Sequence, residues 1–511
     1  MFTRAKQLVC SRSRRKRFAQ LHKITIAPTL LPILLLTLLA GCGGSSNSDA
    51  SSTPAPLSAR NLNLIFVVSE DLAYQGPGDL NQNTANLTDQ GLQRSLKMAT
   101  FLHRDLLRKK NVTAVYALEP MTHLQTADKY PDMTAYATIQ QFALLNQVTL
   151  TAEGVTYTAN SYPVNVSYGS AVPTGVAPPA VACPNCQGLD FADQGGDNET
   201  LVDGIVKANV PGFYVFSAPW ETTTALLAHI NTHGGYNLNL PTSFAGPNYI
   251  YAITIAPSGK ARLVTFNSHL NPTSTYPVLP PPALVSAECD AQAHFNITVT
   301  VGGGGAIKPT GINTNETLYM VRHAEAHPVS TFEDGNYVCA GQWRALDLPN
   351  ALRGTIAPNL VYSIDPAQAT PGGQSASGNS TWSYVRPSLT VEPYAIANGL
   401  PYGLAASFEL IAQNPPQLAT VASSFFFTGG QFSNQTVLMA WEHDHIPPTV
   451  NALIASYFPS GGGPVPAPGW PDDDYDTIWT VTLDAEGNLT VNNSMCEGIQ
   501  SATLPATCPQ F

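Results

Sequence analysis

Five short sequence blocks recur in the same order in the two halves of this 511-residue chain, and this repeat constrains the fold more than any single motif. Five collinear blocks are hard to obtain by chance, so we expect two copies of one unit. The paired blocks are Leu62–Val68 with Thr317–Val321, Leu87–Arg94 with Tyr337–Arg344, Ala114–Pro120 with Leu360–Pro366, Gly212–Phe216 with Val437–Ala440, and Tyr251–Gly259 with Trp479–Gly487.

The repeated unit alternates short apolar runs, typical of buried strands, with longer amphipathic segments, typical of helices. This alternation predicts mostly parallel sheets with helices on both faces. We therefore expect an α/β fold of two tandem three-layer α/β/α domains, at residues 61–275 and 314–511. A Pro-rich linker at 276–313 would join them. Residues from about 151 to 200, rich in Pro and Gly, are interpreted as an insertion in the first domain.

Residues 1–42 have the pattern of an export signal, with a basic stretch, the apolar run Leu30–Leu39 and then Ala40-Gly41-Cys42. The apolar run is shorter than the roughly 20 residues that a membrane-spanning helix needs. The ending resembles the bacterial lipoprotein box, which implies cleavage before Cys42 and diacylation of that cysteine. Residues 43–60 would then be a flexible tether. The expected location is the bacterial cell envelope, on the outer membrane facing the periplasm.

The charge of the chain excludes some partners. Residues 1–42 hold eight of the 24 Lys and Arg residues and no acid, which leaves 16 basic against 35 acidic residues, a formal charge of −19. Such a surface disfavours nucleic acid and anionic lipid as partners. Any anionic substrate must therefore be held by a local cluster of Arg and His.

Six of the eight cysteines follow Cys42, and an oxidising compartment favours disulfides between them. Cys183-Pro-Asn-Cys186 is interpreted as a local disulfide rather than half of a zinc site, because no second CxxC motif accompanies it. Cys496 and Cys508 are a candidate pair that would close the C-terminal tail in the same way.

Active sites in sheets of this kind form where the chain leaves the carboxyl ends of the strands. The first matched strands are followed by Ser69-Glu70-Asp71 in one half and by Arg322-His323-Ala324-Glu325 in the other. A neutral imidazole has a lone pair that can attack phosphorus, and a neighbouring guanidinium offers a planar fork to phosphate oxygens. An isolated Arg-His pair is a weak signal, so further blocks are needed.

Those blocks are present, and Leu318–Glu325 resembles the opening motif of the histidine phosphatase superfamily, whose fold is called phosphoglycerate-mutase-like. Three further segments fall where that family has them: the helix with Gly341 and Arg344, the second strand with Val361-Tyr362-Ser363, and Ser383–Ala395 with Arg386. Val437–Pro447 resembles the strand that delivers the second histidine of the family. His443 is preferred to His445 for this role because it lies nearer the strand end.

The resemblance implies covalent catalysis in two in-line displacements. His323 would attack phosphorus, while Arg322, Arg386 and His443 would hold the equatorial oxygens. This chemistry needs no metal and no cofactor. A zinc site at His323, His443 and His445 is the poorer interpretation, because two arginines would crowd the dication.

The resemblance leaves the proton donor open. One branch of the family places an acid in the loop after the phosphate-binding helix, where Glu409 is the nearest candidate, and another uses the Asp after the second histidine, here Asp444. Asp444 is slightly preferred, although it could instead cap a helix before Pro447. Residues 326–335 lack the extra Arg often found in the family, so the substrate need not resemble those of well-known members.

The first half has lost these groups. Ser69 stands in place of Arg322, Glu70 in place of His323, and approximately Thr134 in place of Arg386. Glu70, Asp71 and Trp220 could line a pocket, but packing and solvation are the simpler explanations. The sequence therefore predicts a lipid-anchored phosphatase for small phosphomonoesters, with a degenerate first copy. A mutase or phosphotransferase and a non-catalytic binding lipoprotein are the alternatives.

Overall fold

The computed structural model describes residues 56–74, 78–146, 150–152, 155–157, 166–168, 189–191, 193, 196–280, 292–327, 335–366, 369–371, 381–405 and 415–511. The predicted export signal with Cys42, the Cys183–Cys186 pair and Glu409 lie outside these ranges. Within them, no helix combines the length and the apolar character that crossing a bilayer requires.

The first half forms a six-stranded sheet in the order β10-β9-β1-β8-β2-β7. Its strands, with two small hairpins, are β1 (Leu62–Val68), β2 (Ala114–Ala117), β3 (Leu124–Gln125), β4 (Tyr130–Pro131), β5 (Leu150–Ala152), β6 (Val155–Tyr157), β7 (Val166–Tyr168), β8 (Gly212–Ala218), β9 (Tyr249–Ile255) and β10 (Ala261–Asn267). Its helices are α1 (Asp89–Phe101), extended by a π-helical turn at Leu102–Leu106, α2 (Thr134–Ala143), α3 (Asp197–Ala208) and α4 (Trp220–His233), with a 3₁₀ turn at Pro120–Thr122.

The second half forms a seven-stranded sheet in the order β11-β19-β18-β12-β17-β13-β16. Its strands are β11 (Asn296–Val299), β12 (Glu316–Arg322), β13 (Leu360–Ile364), β14 (Ala369–Pro371), β15 (Thr381–Ser383), β16 (Tyr402–Ala405), β17 (Thr436–Trp441), β18 (Thr477–Leu483) and β19 (Leu489–Cys496), of which β14 and β15 form a separate hairpin. Its helices are α5 (Cys339–Ala351), α6 (Arg386–Asn398), α7 (Pro415–Phe427) and α8 (Ile446–Ser456), followed by a 3₁₀ turn at Ser501–Thr503.

Four of the five sequence blocks form strands at matching positions in the two sheets, and the fifth begins α1 in one half and α5 in the other. In strand order, β10, β9, β1, β8, β2 and β7 stand where β19, β18, β12, β17, β13 and β16 stand in the second sheet. Every residue of β1 and β8 is buried, as expected for strands covered on both faces. Segments that had been interpreted otherwise also form strands: the hairpin β5–β6 and β7 lie in the supposed insertion, and β11 lies in the supposed linker.

Each sheet has the expected parallel strands, with antiparallel strands added on one side. Four strands run parallel, namely β1, β8, β2 and β7 in the first sheet and β12, β17, β13 and β16 in the second. The other strands pair antiparallel, β9 with β1, β18 with β12 and β11 with β19. Tight turns at Gly259 and Gly487 also join β9 to β10 and β18 to β19. A connection this short can link only antiparallel neighbours.

Alternate residues of β1 face two different apolar clusters, as the period of two in a strand requires. Leu64 and Phe66 pack with residues of α3 and α4, whereas Ile65 and Val67 belong to a cluster that also contains Val321 and residues of α1, α2, α5 and α6. The opposite face of the second sheet packs against α7 and α8. One continuous core therefore lies between the two sheets.

The disulfide expected between Cys496 and Cys508 is not formed. Cys508 is bonded to Cys339 at the start of α5, 169 residues away in sequence, with a Cα–Cα distance of 4.4 Å. The tail packs against the first half, where Cys508 lies near Leu144, so proximity in sequence was a misleading guide. Cys496 is also disulfide-bonded.

Candidate active site

The nucleophile candidate lies at the end of a central strand. Arg322 is the last residue of β12 and pairs with Trp441 of β17 in parallel register. The His323 N–H then donates to the Trp441 carbonyl oxygen over 2.8 Å. This register brings His323 beside the residues that follow β17, where the second histidine was expected.

The orientation of the His323 ring fixes its tautomer. Nδ1 lies 2.8 Å from the carbonyl oxygen of Ala324. A carbonyl oxygen can only accept, so Nδ1 carries the hydrogen and Nε2 keeps the lone pair. The Ala324 N–H donates to Thr390 Oγ1, which donates to the Arg386 carbonyl oxygen, each over 2.8 Å. The loop that carries His323 is thus bonded to the first turn of α6.

The electrostatic surroundings keep this imidazole neutral. Burial lowers the pKa of His323 well below its ordinary value, and the charges of Arg386 and Arg322, and more weakly His443, lower it further. The hydrogen bond to the Ala324 carbonyl opposes them without reversing the shift. His323 is 2% exposed, so a neutral, oriented nitrogen nucleophile is held within the fold.

Each of the two arginines stacks on a tyrosine that also flanks His323. The Arg322 guanidinium carbon lies 3.9 Å from the ring centroid of Tyr475, and that of Arg386 lies 4.8 Å from the centroid of Tyr384. The centroids of Tyr384 and Tyr475 lie 6.0 and 6.2 Å from that of His323. Stacking stabilises a guanidinium and fixes its plane.

The sequence analysis did not anticipate these tyrosines as parts of the site. Tyr384 lies two residues before Arg386 in a block already singled out, so its position was a usable signal. Tyr475 precedes β18, and no sequence motif marked it as part of the site. The sequence also missed the segment that holds Arg322, whose Nη1 donates to the carbonyl oxygens of Pro471, Asp472 and Asp474.

The two histidines after β17 have different surroundings. His443 Nε2 lies 3.2 Å from Asp472 Oδ1, its side chain is 12% exposed, and its charge acts on His323. His445 is 2% exposed, its ring stacks on Trp441 with centroids 5.2 Å apart, and its Nδ1 lies 2.7 Å from Glu442 Oε2. The charge of His443 therefore reaches His323, whereas His445 is buried against Trp441.

Glu442 is a carboxylate that the sequence analysis did not consider. Burial alone would raise the pKa of Glu442, but the contact with His445 and the charges of Arg386 and His443 lower it overall. Glu442 therefore contributes a negative charge beneath the arginine cluster.

The preferred proton donor lies at the rim of the site. The side chain of Asp444 is 67% exposed, and its Oδ1 lies 3.7 Å from His443 Nε2. Helix α8 begins at Ile446 with His445 at its N-cap and no capping side-chain hydrogen bond, so Asp444 does not cap it.

A metal at this site would have to use other ligands than those weighed from the sequence. Within the described ranges, His323 belongs to no group of three close His, Cys, Asp or Glu side chains, whereas Glu442, His443 and Asp444 form one. Two arginines act on the same pocket, and positive charge disfavours a cation there.

Glu325, the last residue of the opening motif, has a structural position. Its carboxylate accepts from Arg344 Nε and Ser501 Oγ, each over 2.8 Å. Arg344 has no exposed surface and also donates to Glu497 over 2.7 Å and to the Ile499 carbonyl oxygen over 2.8 Å. This network ties the loop after His323 to α5 and to the C-terminal tail.

The corresponding strand end of the first half carries acids. Glu70 and Asp71 are each 3% exposed, so solvation does not explain them. Trp220 is buried and packs against Tyr251, with ring centroids 5.9 Å apart. Thr134 is the first residue of α2, as Arg386 is of α6. No phosphate-binding arginine occupies this end of α2.

Comparisons with known proteins give matches among solved structures alone. No family model matches the chain, and no curated relative does. A structure described as phosphohistidine phosphatase SixA from Agrobacterium tumefaciens is 16% identical, covering 34% of this chain and 93% of its own, with a TM-score of 0.19. A mycobacterial glucosyl-3-phosphoglycerate phosphatase is 13% identical, with 35% and 97% covered and a TM-score of 0.22.

A third structure, the protein histidine phosphatase SixA complexed with tungstate, is 17% identical, with 35% and 97% covered and a TM-score of 0.19. Each of these three matches covers about a third of this chain. Likeness at this level carries no information about substrate, so the chemistry of this chain has to be argued from its own side chains.

Proposed function

We propose that this chain is a phosphoric monoester hydrolase that works through a phosphohistidine on His323. One observation carries the proposal: His323 Nδ1 is committed to the Ala324 carbonyl, which leaves Nε2 as a neutral nucleophile between two arginines. A buried cationic cluster in a chain with excess acid is the environment that an anionic phosphoryl group needs.

In the first displacement, His323 Nε2 attacks phosphorus and forms an N–P bond while the P–O bond to the alcohol breaks. Arg322, Arg386 and His443 stabilise the charge on the three equatorial oxygens. The departing alkoxide takes a proton from Asp444, the acid at the rim. The Nδ1 hydrogen bond to Ala324 orients the ring as its charge grows.

In the second displacement, water attacks the phosphohistidine from the rim. Asp444, now a carboxylate, accepts the proton of that water. The N–P bond breaks, inorganic phosphate leaves, and His323 returns to the neutral tautomer. Each step moves one phosphoryl group and one proton, and no redox partner is required.

The test measures phosphate release by residues 43–511 from p-nitrophenyl phosphate and a panel of biological phosphomonoesters. We expect His323→Ala to abolish turnover and Arg386→Gln to lower kcat by about 10²–10³-fold. His294→Gln, at an exposed position, is the matched control and should behave as wild type. Wild-type release no greater than that of His323→Ala would refute the proposal.

Trapping in an alkaline denaturant separates hydrolysis through His323 from other routes. A ³²P-labelled substrate should leave an acid-labile, base-stable label on wild type. In Asp444→Asn, the label should form more slowly or accumulate because its hydrolysis is slower. Substrate turnover without any trapped label in either protein would contradict the covalent step. Labelling that persists in His323→Ala would move the nucleophile elsewhere.

We also propose that the chain is a lipoprotein anchored through Cys42, with residues 61–275 and 314–511 as two copies of one unit. The matching strand orders support the duplication, and the sequence before Cys42 supports the anchor. When the full chain is expressed in a bacterium, Cys42→Ser should shift it from the membrane fraction to the soluble fraction. Unchanged fractionation and no incorporation of labelled palmitate would refute the anchor.

A further inference from the structure

Three side chains converge at the carboxyl ends of the strands of the first sheet, in the half that lacks the phosphatase residues. Asp71 follows β1, His123 lies beyond β2, and Asp132 precedes α2. Asp71 is 3% exposed and Asp132 has no exposed surface, while the His123 side chain is 17% exposed. The three ligand atoms all lie within 4.8 Å of one another.

The distances match the edges of a coordination polyhedron. His123 Nδ1 lies 3.3 Å from Asp71 Oδ2 and 3.3 Å from Asp132 Oδ2. Ligands bonded at about 2.0–2.1 Å around a tetrahedral ion are separated by roughly 3.3–3.4 Å. A single Nδ1–H of His123 can point at only one of the two carboxylate oxygens. A metal ion bound between the three atoms would contact all of them at once.

The other oxygen of each carboxylate is held by groups outside the cluster. Asp71 Oδ1 accepts from the Ala73 N–H over 2.7 Å. Asp132 Oδ1 accepts from the N–H and the hydroxyl of Thr134, over 2.9 and 2.6 Å. Such outer bonds orient carboxylate ligands in metal sites. The Oδ2 atoms are thereby turned towards His123, whose ring is fixed by stacking on Phe191 with centroids 3.7 Å apart.

The cluster is short of positive charge and of donors. Asp132 Oδ2 is fully buried and accepts no hydrogen bond of acceptable geometry from the described residues. Asp71 Oδ2 receives one, from Gln125 Nε2 over 3.2 Å. The charge of Glu221, at the start of α4, also acts on both Asp71 and His123. Buried carboxylate oxygens with so few donors are costly unless another group binds them.

We propose that Asp71, His123 and Asp132 bind one divalent transition-metal ion, with Zn²⁺ the best match to their geometry. One imidazole nitrogen and two carboxylate oxygens are donors that Zn²⁺ accepts, and three protein ligands leave one further position. The first half would then bind a cation at the carboxyl ends of its strands. In the second half, the same end of the sheet would bind the anionic substrate. This site is independent of the phosphatase proposal.

The test loads chelator-treated residues 43–511 with Zn²⁺ and measures bound metal by mass spectrometry after gel filtration. We expect one equivalent in wild type, and a loss of affinity of more than about 100-fold in Asp132→Asn. His443→Gln disrupts the other three-ligand group and should keep the equivalent. Retention of zinc by Asp132→Asn, or its loss in His443→Gln, would overturn the assignment.

Titration of wild type with Co²⁺ gives a result that does not depend on the folding of a variant. A tetrahedral site with nitrogen and oxygen ligands should give a visible absorption band that saturates at one equivalent and is removed by Zn²⁺. Asp71→Asn, which keeps the shape of the side chain, should weaken the band. No saturable band and no retained zinc in wild type would refute the site.

Discussion

Replacing Gly341 with alanine adds one methyl group where α5 crosses the loop that follows His323. The new Cβ would lie 2.7 Å from the Cβ of Tyr337, 2.9 Å from the carbonyl oxygen of Glu325 and 3.1 Å from its nitrogen. Backbone atoms cannot yield as a flexible side chain can. Overpacking of this kind typically lowers the free energy of unfolding by about 1–3 kcal/mol. The helix preference of alanine over glycine raises it by at most about 1 kcal/mol.

The net expectation for Gly341→Ala is a loss of roughly 1–2 kcal/mol in the free energy of unfolding, measured by urea titration. Gly204→Ala is the matched control, because Gly204 is also inside a helix, α3, and a Cβ there would meet no atom within 4 Å. The control should gain about 0.4–1 kcal/mol. Equal stabilisation by both substitutions would refute the claim that α5 packs this closely against the catalytic loop.

Gly341→Ala should also reduce catalysis, because the displaced residue follows His323 by two positions. A displacement of about 1 Å can cost roughly 100-fold in rate. We expect kcat to fall by more than the change in folded population explains. Unchanged kcat in a destabilised variant would mean that the loop accommodates the methyl group without moving His323.

Three further predictions concern pH and covalent structure. Because the pKa of His323 lies well below its ordinary value, kcat/KM should show no acid-side loss centred near pH 6.5, and a midpoint there would contradict the neutral nucleophile. Burial raises the pKa of Glu316 to about 8, against the hydrogen bond from Asn313 that lowers it, so stability falls as pH rises from about 4.5 towards 8. Glu316→Gln should remove this pH dependence and raise the free energy of unfolding at pH 7 by about 3 kcal/mol in urea titrations. An unchanged pH dependence would refute the role given to Glu316. Reduction of the Cys339–Cys508 disulfide, whose cysteines lie 169 positions apart, should cost about 2–5 kcal/mol. Cys508→Ala should lose this part of the response to reductant and keep only the part that comes from other disulfides, such as that of Cys496.

The extent to which the site could be predicted depends on how local its signals are. Arg322 and His323 are adjacent to a buried strand, and Arg386 begins a helix, so each carries its own context in a few residues. Tyr475 stacks on Arg322 although the two residues lie far apart in sequence, so no short motif contains both. The pairing of Cys339 with Cys508 has the same cause, since it depends on how the tail packs. Residues whose role comes from long-range packing were therefore missed or misassigned.

The acids of the first half show a different limit. Comparison of Glu70 and Asp71 with Arg322 and His323 shows only which residue types the first half lacks. The proximity of Asp71 to Asp132 has no local signal, because 61 positions separate them and the intervening hairpin β3–β4 brings them together. A site formed by two loops has no signature in either loop.

The contacts between the halves give the first half a role even without phosphoryl chemistry. The Tyr136 hydroxyl, on α2, donates to the Val385 carbonyl oxygen over 3.0 Å, immediately before Arg386. Gln140, one turn further along α2, donates to Asn336 over 2.6 Å, close to the start of α5. The helix that carries Arg386 and the helix that packs on the loop of His323 are therefore both held by α2. Because these bonds are buried within a shared apolar core, removing the first half would expose that core and release both helices. The first half is thus expected to be required for the geometry of the candidate site in the second half.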